Sequence, residues 1–210
     1  MILFLNVIVI AGGYLLGSIP VGLLLVRALT GKDVRQIGSG RIGGTNVLRA
    51  AGSRVALMTS VGDLAKGLLT VWLARAVVGT PTAEALAGLA AVVGHNYSVF
   101  IGFKGGAGTM TTVGGAIALW PWNAAILACT GIPVVAITRY ASVASITIAL
   151  LIPIIFALRA WLGDAPWPHL IHGLGTATLT LWALRPNIRR LLKGRERQVT
   201  LSQTGNDRAD

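Results

Sequence analysis

The chain has 210 residues, of which 54% are hydrophobic and only 12% are charged, and its mean hydropathy is +0.72. Soluble domains carry about 25% charged residues, so this composition excludes an ordinary soluble globular protein. In a soluble protein the net charge of +11 would indicate nucleic acid, but basic cytoplasmic loops account for it in a membrane protein. We therefore predict an all-α integral membrane protein and no nucleic-acid partner.

Long apolar runs predict about seven transmembrane helices, some of them short or broken. The first run contains Pro20, which predicts a kink because proline removes one helical hydrogen bond. The fourth run is interrupted at residues 120–123 by two tryptophans and a proline, which predicts two short helices joined by an interfacial turn. The predicted spans are residues 3–29, 55–78, 84–101, two short segments within 110–137, a segment ending near 161, and 169–184.

The basic residues predict the orientation. With this count of spans, 15 of the 18 Lys and Arg residues fall on one side of the membrane. The positive-inside rule then places the N-terminus outside, the C-terminus in the cytoplasm, and every glycine-rich loop on the cytoplasmic face. We treat residues 1–196 as one membrane domain and residues 197–210 as a polar, disordered cytoplasmic tail. Cys129 is the only cysteine, which excludes a disulfide or a cysteine-ligated metal site within the chain.

A glycine-rich loop at residues 38–49 joins the first two spans. Glycines such as Gly40 let backbone amides approach an anion closely, and successive amides can form a concave nest for it. Five polar side chains in the loop add neutral donors or cations: Ser39, Thr45, Asn46, Arg41 and Arg49. Such a set would bind a phosphate or carboxylate. The alternative is a flexible loop that only connects two helices.

Other polar residues occur inside or next to the predicted spans. Asp63 and Lys66 lie three residues apart on one helix face, so they either pair with each other or leave Lys66 to contribute to an anion site. His95 precedes a second glycine cluster at residues 103–109 that contains Lys104. It is either a hydrogen-bonded interfacial histidine or a phosphate donor and proton carrier. Neither glycine cluster matches the nucleotide-binding P-loop pattern.

These loops together indicate an enzyme that acts on phosphate-bearing lipid precursors. They would bind a water-soluble anion from the cytoplasm, while the adjacent apolar helices hold a lipid chain. A transporter or flippase for a phosphorylated anion is the alternative, since the intramembrane charges and broken helices are compatible with one.

The ordered motifs resemble those of the bacterial acyl-phosphate:glycerol-3-phosphate acyltransferase family, PlsY, from Gly17 to about Glu196. The motifs that carry the resemblance are Gly17-Ser18-Ile19-Pro20, Gly38-Ser39-Gly40, Thr45-Asn46-Val47-Leu48-Arg49, Asp63, Lys66-Gly67, Gly94-His95, Phe103-Lys104-Gly105-Gly106, Arg139-Tyr140, Ser142, Ser145, Asn187-Ile188 and Arg190-Leu191.

The resemblance implies a multi-pass enzyme of the bacterial inner membrane whose active site faces the cytoplasm. It implies transfer of a fatty acyl group from acyl phosphate to the 1-hydroxyl of sn-glycerol 3-phosphate, giving lysophosphatidic acid and phosphate. No metal or organic cofactor is implied, and the donor implies a functional link to an acyl-phosphate-forming enzyme. The implied catalytic residues are His95, Lys104, Ser142 and Asn187. The implied phosphate-binding residues are Ser39, Gly40, Arg41, Thr45, Asn46, Arg49, Lys66, Gly105, Gly106 and Arg139.

The sequence departs from the family pattern at several site positions. Arg41 stands where the family usually has Asn, and Gly44 where it usually has Ala. Ala107 replaces the lysine of Gly-Gly-Lys-Gly, while Leu184 and Pro186 replace a histidine and a common acid. Either Arg41 or Lys104 supplies the missing charge, or the chain is a divergent paralogue with weak or changed activity. The base for the attacking hydroxyl is also open between His95 and a substrate phosphate oxygen.

Overall fold

The computed structural model describes residues 1–199, and this part of the chain contains eight α-helices, two short 3₁₀ turns and no strand. The α-helices are α1 (Ile2–Ser18), α2 (Val21–Thr30), α3 (Gly44–Val77), α4 (Pro81–Asn96), α5 (Thr109–Leu119), α6 (Asn123–Thr138), α7 (Ala141–Trp161) and α8 (His169–Leu192). The 3₁₀ turns are Val34–Gln36 and Val99–Ile101. The predicted all-helical fold is confirmed, whereas most of the predicted tail at 197–210 lies outside the described residues.

Four helical stretches are long and apolar enough to cross a membrane: Ile2–Thr30, Gly44–Val77, Pro81–Ile101 and Ala141–Trp161. Helices α5 and α6 are apolar but short, and a turn at residues 120–122 separates them, as the interruption in the sequence predicts. Helix α8 is long but carries three arginines in its last eight residues. The chain is therefore a multi-span helical membrane protein.

The break between α1 and α2 lies at the predicted kink. Ile19 and Pro20 both leave helical geometry there, with ψ angles of 117° and 69°. Because proline has no N–H, the helix cannot continue its hydrogen-bond ladder through this point. The carbonyl of Ile19, at this break, accepts from the backbone nitrogen of Val21 at 3.0 Å and from the Lys66 ammonium of the neighbouring helix α3 at 3.2 Å.

A second break divides α3 at Gly52, which has φ +80° and ψ −179°. An added Cβ at this position would meet nothing within 4 Å, so glycine is required here for its backbone conformation and not for space. The short segment before the break carries the end of the first glycine-rich loop. The segment after it is the long apolar span, so the predicted boundary near residue 54 lies two residues from the observed one.

Small residues allow the helices to pack closely. A Cβ at Gly94 of α4 would stand 2.8 Å from the backbone nitrogen of Ser18, and one at Gly17 of α1 would overlap the backbone of Ala91. In lipid, close backbone approach of this kind is the main source of helix–helix attraction. The tight contact between α1 and α4 holds His95, at the end of α4, beside the break in the first span.

Candidate active site

Several loops at one end of the bundle converge with the C-terminal part of α8. A cavity of about 220 Å³ lies at this point. Its walls include Arg41, Asn96, Gly105, Gly106, Trp182 and Arg185. Both glycine clusters predicted from the sequence therefore meet at one cavity, together with a wall from the last helix.

Asn46 organises the first glycine-rich loop. Its side-chain amide nitrogen donates to the carbonyls of Val34, Ile37 and Arg41, at 3.0, 2.9 and 2.8 Å. Its side-chain oxygen accepts from the backbone nitrogen of Ser39 at 3.0 Å. Both polar atoms of this buried side chain are thus used inside the loop. Asn46 therefore holds the shape of the loop, and its predicted phosphate contact stays a prediction.

The other predicted donors of this loop face outward. Ser39 and Thr45 are exposed and Arg49 is half-buried. Gly38 and Gly40 have φ angles of +58° and +72°, which side chains rarely adopt, so these glycines create the turn that presents Ser39. Helix α3 begins directly afterwards without a side-chain cap, and its first amides are available to an anion.

Asp63, Lys66 and His95 form a buried cluster behind the loops. The Lys66 ammonium lies 2.9 Å from an Asp63 carboxylate oxygen and 2.8 Å from Nδ1 of His95, and it donates to the Ile19 carbonyl at 3.2 Å. All three ionisable side chains are under 5% exposed. Of the two readings of the Asp63–Lys66 spacing, the structure has the mutual pair, and Lys66 supports the site from behind instead of facing the cavity.

The Lys66 contact also assigns the histidine tautomer. A charged ammonium can only donate, so Nδ1 of His95 accepts from it and Nε2 carries the ring proton. That Nε2 edge faces Gly106, where an added Cβ would overlap it. His95 therefore presents a donor towards the second glycine cluster and no free basic nitrogen.

The second glycine cluster packs its backbone onto the end of α4. The amides of Gly105 and Gly106 donate to the carbonyls of Asn96 and His95, both at 3.1 Å. These two amides are therefore occupied and the glycines allow close packing, while their predicted phosphate contact stays a prediction. Helix α5 starts immediately beyond them, after Gly108 with φ +82° and without a side-chain cap, so the free amides lie there.

Arg41 connects the first glycine-rich loop to α8 across the cavity. Its guanidinium donates to the Asn187 side-chain oxygen at 3.1 Å and to the carbonyl of Ala183. Burial lowers the pKa of this guanidinium, and repulsion from Arg190 lowers it further, while Glu196 opposes that effect. A guanidinium is not deprotonated in proteins, so Arg41 acts here as a donor only.

Glu196 contacts two of the predicted site residues, and the sequence analysis does not include it among them. Its carboxylate accepts from the Ser142 hydroxyl at 3.2 Å, from the Asn187 amide at 2.7 Å and from Arg190 Nε at 2.8 Å. Two predicted catalytic residues from different helices thus meet on one acceptor. The available signal was that Glu196 is the only acidic residue in the basic stretch 185–197.

The two remaining predicted residues lie at the rim of the site. Lys104 is exposed next to the cavity wall formed by Gly105. Arg139 is exposed with φ +61°, and its carbonyl accepts from the backbone of Val199 at 2.7 Å. Within residues 1–199, no group of three or more His, Cys, Asp or Glu side chains is arranged to hold a metal ion.

Comparison with known proteins identifies relatives along almost the whole chain. The profile of a family described as glycerol-3-phosphate acyltransferase matches residues 7–194. A glycerol-3-phosphate acyltransferase of Desulforudis audaxviator is 46% identical over 90% of this chain and 93% of its own length. The one from Syntrophomonas wolfei is 41% identical over 89% of this chain and 93% of its own length.

Two crystal structures of PlsY, described as an integral membrane glycerol 3-phosphate acyltransferase, are similar in fold. The glycerol 3-phosphate form has a TM-score of 0.84 and 34% identity, and the lysophosphatidic acid form has 0.82 and 32%. Each match covers 93% of this chain and 96% of the crystallised chain.

Proposed function

This chain belongs to the glycerol-3-phosphate acyltransferase family, and we propose that it transfers a fatty acyl group from acyl phosphate to the 1-hydroxyl of sn-glycerol 3-phosphate. The products are lysophosphatidic acid and inorganic phosphate. The observation that carries this proposal is the meeting of both glycine clusters, Arg41 and the end of α8 at one cavity beside apolar helices. A water-soluble phosphate and a lipid chain can approach such a cavity together.

The site has to bring two anions together. We assign the phosphate contacts to the outward-facing groups, namely Ser39, Thr45, Arg49 and Lys104, and to the uncapped starts of α3 and α5. Helix N-termini favour anions because their first amides lack partners and the helix dipole adds positive charge. These groups offset the repulsion between the substrates and stabilise charge that develops on the carbonyl oxygen and the leaving phosphate.

The acyl transfer needs no covalent enzyme intermediate, because acyl phosphate is a mixed anhydride with a good leaving group. The 1-hydroxyl oxygen of glycerol 3-phosphate attacks the carbonyl carbon, and the bond from that carbon to the bridging phosphate oxygen breaks. We assign the proton of the hydroxyl to a substrate phosphate oxygen. The contact of Lys66 with Nδ1 of His95 supports this assignment, since it leaves the buried histidine without a free basic nitrogen.

We also propose that the enzyme spans the bacterial inner membrane seven times, with the N-terminus outside and the cavity facing the cytoplasm. The span from α1 to α2 and helices α3 to α8 would supply the seven crossings, α5 and α6 being the short ones. The excess of basic residues in the loops around the cavity supports this orientation. An acyl-phosphate-forming enzyme would supply the donor at the same face.

A direct assay tests the reaction. Purified protein in detergent or lipid, given acyl phosphate and glycerol 3-phosphate, should release phosphate and form lysophosphatidic acid. Arg49→Ala should lower kcat/KM by roughly a hundredfold, because a charge-assisted contact in a partly desolvated site contributes about 1.5–3 kcal/mol. Arg54→Ala, an exposed arginine beyond the Gly52 break, is the matched control. Absence of product above a no-protein blank would refute the proposed function.

A further inference from the structure

Helix α8 contains a proline where it forms the cavity wall. Pro186 has no N–H to donate to the carbonyl of Trp182, and its ring pushes against the turn that precedes it. The helix continues through Pro186 without the bond to Trp182, and a helix that has lost one bond of its ladder bends more easily unless something holds it. Trp182, Ala183 and Pro186 all line the cavity, so a bend here would change its width.

Arg41 contacts α8 on both sides of Pro186. One guanidinium nitrogen donates to the carbonyl of Ala183, three residues before the proline, and another donates to the side chain of Asn187, directly after it. The guanidinium is a planar fork whose donors have a fixed geometry, so it holds the two acceptors at a set separation.

The contact also fixes the orientation of Asn187. Its oxygen accepts from a guanidinium, which can only donate, while its nitrogen donates to the Glu196 carboxylate at 2.7 Å. The amide therefore has one allowed orientation, set from the first glycine-rich loop on one side and from Glu196 on the other. Without Arg41 the oxygen of Asn187 loses this fixed donor.

We propose that Arg41 is a positioning residue that clamps α8 across Pro186, and that it thereby fixes Asn187 and the width of the cavity. This inference rests on the proposed function only for its effect on catalysis. It makes Arg41 and Pro186 one coupled pair. The competing role, a replacement for the missing phosphate-binding lysine at Ala107, makes different predictions.

The clamp requires the forked geometry of arginine and is needed only while the proline is present. Arg41→Asn and Arg41→Lys should both lower kcat/KM about 10- to 100-fold, as a misplacement of about 1 Å does. In a Pro186→Ala background, where the helical N–H is restored, the same two substitutions should lower kcat/KM by a clearly smaller factor. Ala107→Lys should not restore the Arg41→Asn variant.

Kinetics of this set, measured with acyl phosphate and glycerol 3-phosphate, decide the matter. Full activity in Arg41→Lys, or rescue of Arg41→Asn by Ala107→Lys, would overturn the clamp in favour of a simple phosphate-binding cation. Equal losses in the proline and alanine backgrounds would also overturn it.

Thermal unfolding of the same variants gives a readout that is independent of the reaction. Both Arg41 substitutions should lower Tm in the Pro186 background and leave it unchanged in the Pro186→Ala background. If the wild-type protein forms no lysophosphatidic acid, the proposed function fails, whereas this coupling in Tm still supports or refutes the clamp. Identical Tm shifts in both backgrounds would refute it.

Discussion

Removing the Asp63 carboxylate is the sharpest test of what holds the site in place. Asp63 is 2% exposed, and its carboxylate lies 2.9 Å from the Lys66 ammonium and 3.4 Å from Nδ1 of the His95 ring. Asp63→Ala would leave the Lys66 ammonium buried without a countercharge. The ammonium would keep its contacts with His95 and with the Ile19 carbonyl, which soften the loss but cannot neutralise it.

The expected destabilisation follows from the burial of both partners. Breaking a buried ion pair on one side costs about 3–5 kcal/mol, and the remaining contacts of Lys66 place this case near about 3 kcal/mol. For a chain of this size each kcal/mol lowers Tm by about 2–4 °C, so a fall of about 6–12 °C is expected. Replacing the whole pair with apolar residues should restore much of it, because no buried charge then remains.

Thermal unfolding in detergent measures the effect. The series comprises wild type, Asp63→Ala, Lys66→Met and the double variant, with Arg54→Ala as a control for the loss of an exposed charge. We expect the double variant to be more stable than Asp63→Ala, and the control to lie within about 2 °C of wild type. A single variant that unfolds at the wild-type temperature, or a double variant less stable than the single, would refute the reasoning.

Four further predictions concern the loops of the site. Gly106→Ala would set a methyl group 3.0 Å from two ring carbons of the buried His95, so kcat should fall at least tenfold. The control Gly12→Ala, whose methyl group would meet nothing within 4 Å, should match wild type. Equal rates for the two variants would contradict the packing of Gly106 on His95. Asn46→Ala and Asn46→Asp should each lower Tm and speed proteolysis of the first glycine-rich loop, because neither variant retains the amide donor. A wild-type Tm in Asn46→Asp would contradict the role of this donor in holding the loop. Glu196→Gln keeps an acceptor oxygen and should lose less activity than Glu196→Ala. The reverse order in the kinetic assay would contradict the role of residue 196 as an acceptor shared by Ser142 and Asn187. Hydrogen bonds from Arg35 hold the pKa of Asp33 well below its usual range. The ionised carboxylate therefore stabilises the fold at pH values above the unfolded-state pKa of about 3.9, and this stabilisation is lost as the pH falls below that value. The Tm difference between wild type and Asp33→Asn should be largest at neutral pH and should shrink in acid.

The sequence predicts the helices well because their signals are local. Lipid requires long apolar runs, so spans are visible without knowledge of their neighbours. Pro20 and the interruption at residues 120–123 act on the backbone at their own positions, and the structure has breaks at both. The break at Gly52 is not predicted, since one glycine in a helical pattern does not reveal a φ of +80°.

The site is predicted less completely because its contacts join distant parts of the chain. The spacing of Asp63 and Lys66 allowed a pair, but it could not reveal that His95, 29 residues further on, would complete the cluster. Asn46 is a plausible phosphate donor until the loop closes and places carbonyls around it. Glu196 acquires its role only when α7 and α8 bring Ser142 and Asn187 to it.

The position of Glu196 along the chain has a consequence for synthesis. The carboxylate on which Ser142 and Asn187 meet follows the last helix, while Arg41 precedes almost all of the others. A nascent chain that has inserted every helix but has not yet delivered residue 196 therefore lacks the acceptor that joins α7 to α8. Membrane insertion proceeds from the N-terminus, so this junction of α7 and α8 forms at the end of translation and not gradually. Incomplete chains would occupy the membrane with α7 and α8 not yet joined at this carboxylate.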